Sequence, residues 1–303
     1  MVAAATLARP FPLCTGIATV VRRRALTPRM ARFTLQAPAF AGLGVEQPGE
    51  ILTLGWCDAG EELALPERGW RFPRGRPEQH WRNFTVRAHR PGAMEVDVDF
   101  FLHGDLGRAA AWAAQAMPGE TAGFAGPRLH WPPDLDAAWT LLAADETGLP
   151  ALLAILETLP PGHRTIALAE IHDDDERQAV DCAADLDLRW LSRGGRPPGT
   201  TGVLADAVAA LTPPPGPGQA WGGGEALAMR GVRDAVRAAG VRAARIDERP
   251  RVLEAPADAR RRRVAGAAPQ PSYPSTVRSS RSDAESGSSP NSSRPRRCRR
   301  RSQ

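Results

Sequence analysis

The sequence predicts a β + α/β protein: an N-terminal antiparallel six-stranded barrel, then an open α/β domain on a parallel sheet, then a disordered tail. Three observations carry this reading. Over the first 130 residues, short stretches bearing Val, Thr, Ile, Phe or Trp alternate with Pro and Gly turns. From residue 137 onward, near-continuous apolar runs alternate with helical segments, the pattern of a sheet covered on both faces. From about residue 250 apolar periodicity stops, and Ser, Pro and Arg take over. A length of 303 residues has room for both domains.

In the barrel, expected over 12–130, strands are predicted at 16–24, 30–36, 50–56, 82–88 and 94–102. Met94–Phe100 (MEVDVDF) is the clearest, because apolar and acidic residues alternate and so predict one buried and one wet face. A short helix near Arg108–Ala116 ends at Pro118-Gly119, and a sixth strand follows over Glu120–Ala125. WPPDLD, Trp131–Asp136, reads as the linker. In the α/β domain, expected over 137–249, WTLLAA (Trp139–Ala144) reads as a doubly covered strand and Leu149–Pro160 as the helix after it. Arg164–Ile171 and Leu186–Leu191 are further strands. A helix over Gly202–Leu211, a strand ending near Trp221 and a helix over Glu225–Ala239 complete the pattern. VRAARIDERPRVLEAP, after Gly240, is assigned no strand, and 250–303 reads as a disordered basic tail.

Composition excludes several classes. With 42% hydrophobic, 24% charged and 6% aromatic residues, the chain is neither disordered throughout nor a repeat fibre, and no apolar run approaches a membrane span. The net charge of +5 divides unevenly, with +8 over 247–303 and −3 over the rest. Specific nucleic-acid binding is therefore not expected of the folded part, although such a tail would adhere weakly to polyanions. All 39 basic residues are Arg, so no site can use a lysine. Cys14, Cys57, Cys182 and Cys298 lie far apart without a CxxC pair, and the first residues lack a secretory apolar run. A cytoplasmic, monomeric protein without membrane insertion is the expectation.

Four segments could carry chemistry. Arg82–Arg87 (RNFTVR) places Arg82, Phe84 and Val86 on one face and Asn83, Thr85 and Arg87 on the other. An aromatic plane beside a hydroxyl and a guanidinium suits a planar ligand with a phosphate tail, and equally suits a barrel strand with one inward aromatic. His103–Ala114 ends a strand, turns through Gly104 and Gly107, and starts a helix at Arg108 and Ala109. Its free amides could receive a pyrophosphate, or Trp112 and His103 could be core and turn residues. Asp145, Thr147, Gly148 and Pro150 lie at the carboxyl end of the first parallel strand, where open sheets bind ligands, and could instead only initiate a helix. Gly222, Gly223 and Gly224 precede Glu225 at another strand end, where three glycines cost folding entropy and a close ligand approach explains them. Glu225 is the expected helix cap.

Together these segments resemble the siderophore-interacting protein family, flavin-dependent ferric-siderophore reductases of the ferredoxin-reductase superfamily, over about residues 12–240. The resemblance implies that Arg82, Phe84 and Thr85 form the RxYT-type motif that contacts FAD and its phosphate, with Phe in place of the usual Tyr. It implies that His103-Gly104 and Gly107–Ala109 form the pyrophosphate cradle, with Arg108 where proline is common. Asp145–Ala151 matches the DET-x-LPA motif of the nicotinamide domain, and Gly222–Glu225 matches the glycine-and-glutamate segment near the sheet's end. The chain departs from the family in lacking a GYWR segment, and a missing last strand would expose a sheet edge.

The resemblance further implies FAD as cofactor, NADPH (or NADH) as electron donor and a ferric siderophore as acceptor, with release of Fe(II). Hydride transfer needs no acid–base residue, and no permanent protein metal site follows. Asp173–Asp175 disfavour a 2′-phosphate nearby, whereas Arg193 favours one. Two other readings remain open: a related flavin-dependent oxidoreductase with another acceptor, and a flavin- or siderophore-binding protein impaired by its altered C-terminus.

Overall fold

The computed structural model describes residues 14–45, 49–57, 61–66, 78–103, 108–129, 131 and 133–249, the last eight of these in backbone only. Strands β1 (Cys14–Thr27), β2 (Met30–Gln36), β3 (Ile51–Cys57), β4 (Gln79–Arg90), β5 (Glu95–Phe101) and β6 (Thr121–Arg128) form a closed barrel in the order β1-β2-β5-β4-β3-β6. Every pairing in it is antiparallel, and β6 closes onto β1. Helix α1 (Arg108–Gln115) follows β5.

The period-2 pattern of β5 builds the barrel core. Val96, Val98 and Phe100 turn inward onto Phe33, Leu35, Leu54 and Phe124, with the Phe33 and Phe100 rings 4.8 Å apart. The other face of β5 is not wet, contrary to the sequence expectation. Glu95, Asp97 and Asp99 are only 7%, 7% and 5% exposed. Arg32 forks onto Asp99 (2.7 and 2.8 Å), Arg90 onto Asp97 (2.6 and 2.9 Å), and Arg22 reaches Glu95 at 2.6 Å. Arg32 and Arg90 stand directly across from Asp99 and Glu95 in the register. Alternation predicts the two faces correctly. It does not show that neighbouring strands lay arginines over the acidic one.

Strands β7 (Trp139–Ala144), β8 (Arg164–Ile171), β9 (Asp185–Ser192), β10 (Gly218–Glu225) and β11 (Arg242–Arg249) form a parallel sheet in the order β11-β10-β7-β8-β9. Helices α2 (Leu149–Leu156), α3 (Val203–Ala209) and α4 (Ala226–Ala238) cover it. Leu142 and Ala144 pack with Leu149 and Leu152 of α2, while Leu141 and Ala143 pack with Leu204 of α3 and Met229 and Val232 of α4. Each leucine so buried stabilises the fold by about 1.5–3 kcal/mol. Helix α2 buries seven of its eight residues. It lies against the barrel as well as the sheet: Met30 joins its cluster, and Arg87 of β4 reaches Glu157 (2.5 Å) and the Pro150 carbonyl (3.4 Å).

A second correction concerns the end of the domain. The sequence predicts no strand past Gly240, yet β11 pairs with β10 from Gln219 to Glu225 and covers that edge. Its sequence, RAARIDER, holds one large apolar residue. Its ladder partner on β10, rather than its own apolar content, defines it. The expected linker is also held in place, because Gln219 accepts from the Asp134 amide (2.9 Å) and donates to the Asp134 carbonyl (2.7 Å). The predicted tail, 250–303, lies outside the described residues.

Candidate functional site

The barrel and the carboxyl ends of the parallel strands enclose a cavity of about 450 Å³. Open parallel sheets bind ligands at this end, because the loops there diverge and the helix amides point outward. The barrel wall is the Arg82–Thr85 stretch of β4 together with Arg108 and Ala109 at the start of α1. The facing wall comes from the turn after β7, the end of β10 and the segment after β9.

On the barrel side, Phe84 is half-buried, with its ring centroid 4.1 Å from Phe100 and 5.9 Å from Trp56, which stands edge-on. Thr85 is buried at 5% exposure, and Arg82 is exposed, donating to the Trp81 carbonyl at 2.8 Å. Asn83 accepts from Thr53 and Arg128, both at 2.8 Å, so β4 is anchored to β3 and β6 beside the cavity. The His103 ring lies 5.4 Å from that of Phe101, tilted by 45°. An aromatic surface, a hydroxyl, an exposed guanidinium and a helix start on one wall form a set that fits a planar group with phosphates, such as FAD.

On the sheet side, Asp145 joins two turns. Its Oδ1 accepts from the Thr147 amide (2.8 Å) and hydroxyl (2.6 Å), and its Oδ2 accepts from the Glu225 amide (2.6 Å). Asp145 is 1% exposed, so it positions both turns by bonds it keeps inside the protein. Glu225 caps α4 as expected, accepting from the amides of Leu227 (2.6 Å) and Ala228 (3.3 Å). The glycines of the two turns have a packing role. A Cβ on Gly148 would fall on the backbone of Gly223, and one on Gly224 would meet the Asp145 carboxylate at 2.9 Å.

Beneath this wall lies a buried charge cluster. Arg193 is 1% exposed and forks onto Glu146 (2.7 and 2.8 Å), with Glu170 at 3.4 Å. Burial pushes the Glu170 carboxyl up to about 7, with Arg193 opposing and Asp145 and Glu146 adding to the rise. Burial also raises the Glu146 carboxyl, despite its bonds to Arg193. The sequence expectation that Arg193 favours a 2′-phosphate is overturned, since its guanidinium is spent on these two acids.

Of the residues singled out from sequence, the cavity brings together Arg82, Phe84, Thr85, His103, Arg108 and Ala109 on one side. On the other it brings Asp145, Thr147, Pro150, Gly224 and Glu225. Gly148, Gly222 and Gly223 are not part of the lining, and Gly104 and Gly107 lie outside the described residues. Sequence reasoning missed Arg29, Asp99, Phe100, His172 and the 195–198 segment. A usable signal existed for the last of these, because it follows a parallel strand at the ligand end.

A closed antiparallel barrel followed by a covered parallel sheet, with a cavity between the barrel and the strand ends, defines a two-domain β + α/β protein whose ligand-sized cavity lies at the junction. Two family models match this chain: the siderophore-interacting FAD-binding domain over residues 19–131 and the siderophore-interacting protein over residues 137–249. A siderophore utilization protein from T. fusca, known by its crystal structure, is 32% identical, with a TM-score of 0.70 over 78% of this chain and 92% of that one. The chain belongs to the siderophore-interacting protein family. An uncharacterised protein of Mycobacterium tuberculosis is 37% identical over 135 residues, 43% of this chain and 48% of that protein. The NADPH-dependent ferric-chelate reductase of Escherichia coli is 36% identical over 131 residues, 42% of this chain and 50% of that enzyme. The matched stretch thus spans about half the length of each of these two relatives.

Proposed function

We propose that the chain is an NAD(P)H-dependent ferric-siderophore reductase that uses FAD, acts in the cytoplasm and releases Fe(II). The observation that carries this reading is the convergence of the β4 edge, the α1 start and the carboxyl ends of β7 and β10 on one cavity. A bound flavin supplies the conversion of a two-electron donor's hydride into single-electron transfers to chelated Fe(III). The chain supplies position. Phe84 and Thr85 set the plane and orientation of the ring system. Arg82, Arg108 and Ala109, with His103, Gly104 and Gly107, hold the phosphates. Thr147, Pro150, Gly224 and Glu225 receive the nicotinamide nucleotide, while Asp145, Gly148, Gly222 and Gly223 let the two turns come together behind it. NADPH is the favoured donor, in line with the name of the Escherichia coli relative.

An absorbance spectrum of the purified protein tests the first step, with a flavin band expected. Consumption of NADPH and of NADH is then followed with and without a ferric siderophore. The reading predicts turnover that depends on the chelate. A flavin-loaded protein that oxidises nicotinamide equally well without any ferric chelate would refute the acceptor assignment.

A further inference from the structure

Three adjacent parallel strands end on a single buried cluster. Glu146 follows β7, Glu170 is next to last in β8, and Arg193 follows β9. All three side chains are 1% exposed. Besides its fork onto Glu146 and its contact with Glu170, Arg193 donates from Nε to the carbonyl of Arg196 (3.0 Å). Arg196 returns its own Nε to the Arg193 carbonyl (3.2 Å). The amides of Arg193 and Gly195 donate to the carbonyls of Ile171 (2.8 Å) and His172 (3.0 Å). A buried guanidinium with two acids is a poor way to gain stability, because desolvation offsets most of its Coulomb energy. What the cluster does in the fold is pin the 193–198 segment, in which Gly195, Arg196, Pro197 and Pro198 line the cavity.

We propose that Glu146, Arg193 and Glu170 form a positioning cluster: Arg193 holds the 193–198 segment as a wall for the donor's nucleotide, and Glu170, exchanging a proton behind that wall, makes donor binding depend on pH. The inference rests on the donor-side reading given above. The Glu170 carboxyl titrates at about 7, through burial first. The charged groups around it are Asp145 and Glu146 from the β7 turn and Arg193 from the end of β9. His172 and Asp173 follow it on its own strand end, and Asp206 of α3, the helix packed on β8, is exposed. With Glu170 ionised, one guanidinium faces three acids. Protonation removes one negative charge from behind the wall. A donor that carries phosphates therefore binds more tightly at the lower pH and takes up protons as it binds.

Calorimetric titration of the full-length, flavin-loaded protein with NADP+ between pH 6 and pH 8 tests this. From pH 6 to pH 8, Kd for the wild type should rise about 3- to 10-fold more than Kd for Glu170→Gln, a step consistent with one partly screened charge. Comparing the two proteins cancels the titration of the ligand's own phosphate. In parallel, amide hydrogen exchange is followed in the protein without nucleotide. Arg193→Lys, which keeps the charge and loses the fork, should speed exchange at Gly195 and Arg196 about 5-fold or more while β7 and β8 stay protected. If Arg193→Lys does not fold, Glu146→Gln replaces it in that measurement.

Equal pH slopes for wild type and Glu170→Gln overturn the role of Glu170, and unchanged exchange over 193–198 overturns the clamp. A wild type that binds neither NADP+ nor NAD+ overturns the donor reading itself, and the exchange measurement then decides the clamp on its own.

Discussion

Replacing Gly148 with alanine tests whether the glycines of the donor-side turns are there for packing. Gly148 has a φ of −93°, which any residue adopts, so backbone strain is not the issue. The obstacle is space. The new methyl would fall on the carbonyl oxygen of Gly223, with the carbonyl carbon 2.5 Å away. Carbon atoms in contact stand about 3.5–4.0 Å apart, so the turn or the strand must move by about 1 Å. Neither yields easily: β10 is held on both sides by β7 and β11, and Asp145 ties the turn to the Glu225 amide. Overpacking costs about 1–3 kcal/mol, and a clash with fixed backbone belongs at the upper end, at about 3 kcal/mol. At about 2–4 °C per kcal/mol for a folded part of this size, the melting temperature should fall by about 6–12 °C. Gly92→Ala is the control, because a Cβ there meets nothing within 4 Å, and it should change stability by less than about 0.5 kcal/mol. Scanning calorimetry of both variants decides the matter. If Gly148→Ala melts within about 2 °C of the wild type, the packing argument is wrong.

Three further outcomes are expected. Asp145→Asn turns one acceptor oxygen into a donor facing either the Thr147 or the Glu225 amide, and should cost about 2–3 kcal/mol in urea unfolding, with donor affinity reduced as well. Arg82→Ala should weaken FAD binding by about 1.5–3 kcal/mol in titrations of apoprotein while leaving the melting temperature of the apoprotein unchanged, since Arg82 is exposed. Glu170, held at about 7 against an ordinary 4.5, keeps a proton in the folded state that it loses on unfolding. Its contribution to stability is therefore complete below pH 4.5 and disappears as pH rises to 7. The wild type should lose about 3 kcal/mol relative to Glu170→Gln over that window, measured by unfolding at pH 5 and pH 8.

The change of period at residue 137 made both layers legible, because β5 alternates apolar with acidic residues whereas β7 is a nearly continuous apolar run, although the structure buries both faces of each. The candidate segments were legible for a similar reason: each sits where a strand gives way to a turn, and composition marks such places. What stayed hidden depends on partners distant in sequence. The arginines over Asp97 and Asp99 come from other strands of the barrel. Strand β11 is defined by its ladder with β10. Arg193 looked like a free cation because Glu146 and Glu170, far upstream, are brought to it only by the parallel sheet. The triple glycine showed that something comes close to the strand end. For Gly224 that neighbour is Asp145, 79 residues upstream and not readable from local sequence, whereas for Gly223 it is the Trp221 ring, 3.0 Å from where a Cβ would stand and only two residues away.

These long-range partners explain how two separate walls come to serve one cavity. Helix α2 begins at the Asp145–Gly148 turn and ends beside Glu157, which pairs with Arg87 at 2.5 Å. Arg87 lies on β4, the strand that carries Arg82, Phe84 and Thr85. The Arg87 side chain is only 4% exposed and also faces Asp99, so its position is set from the barrel side. Eight helical residues span about 12 Å, and a helix packed on nearly every side does not change length. The spacing between the proposed flavin wall and the proposed donor turn is thus fixed through one short helix, which Arg87 holds from the barrel side at both Pro150 and Glu157 and whose leading turn is tied by Asp145. Transfer between two bound groups depends steeply on their separation, so the nearly all-apolar sequence of α2 contributes to function by holding that separation constant.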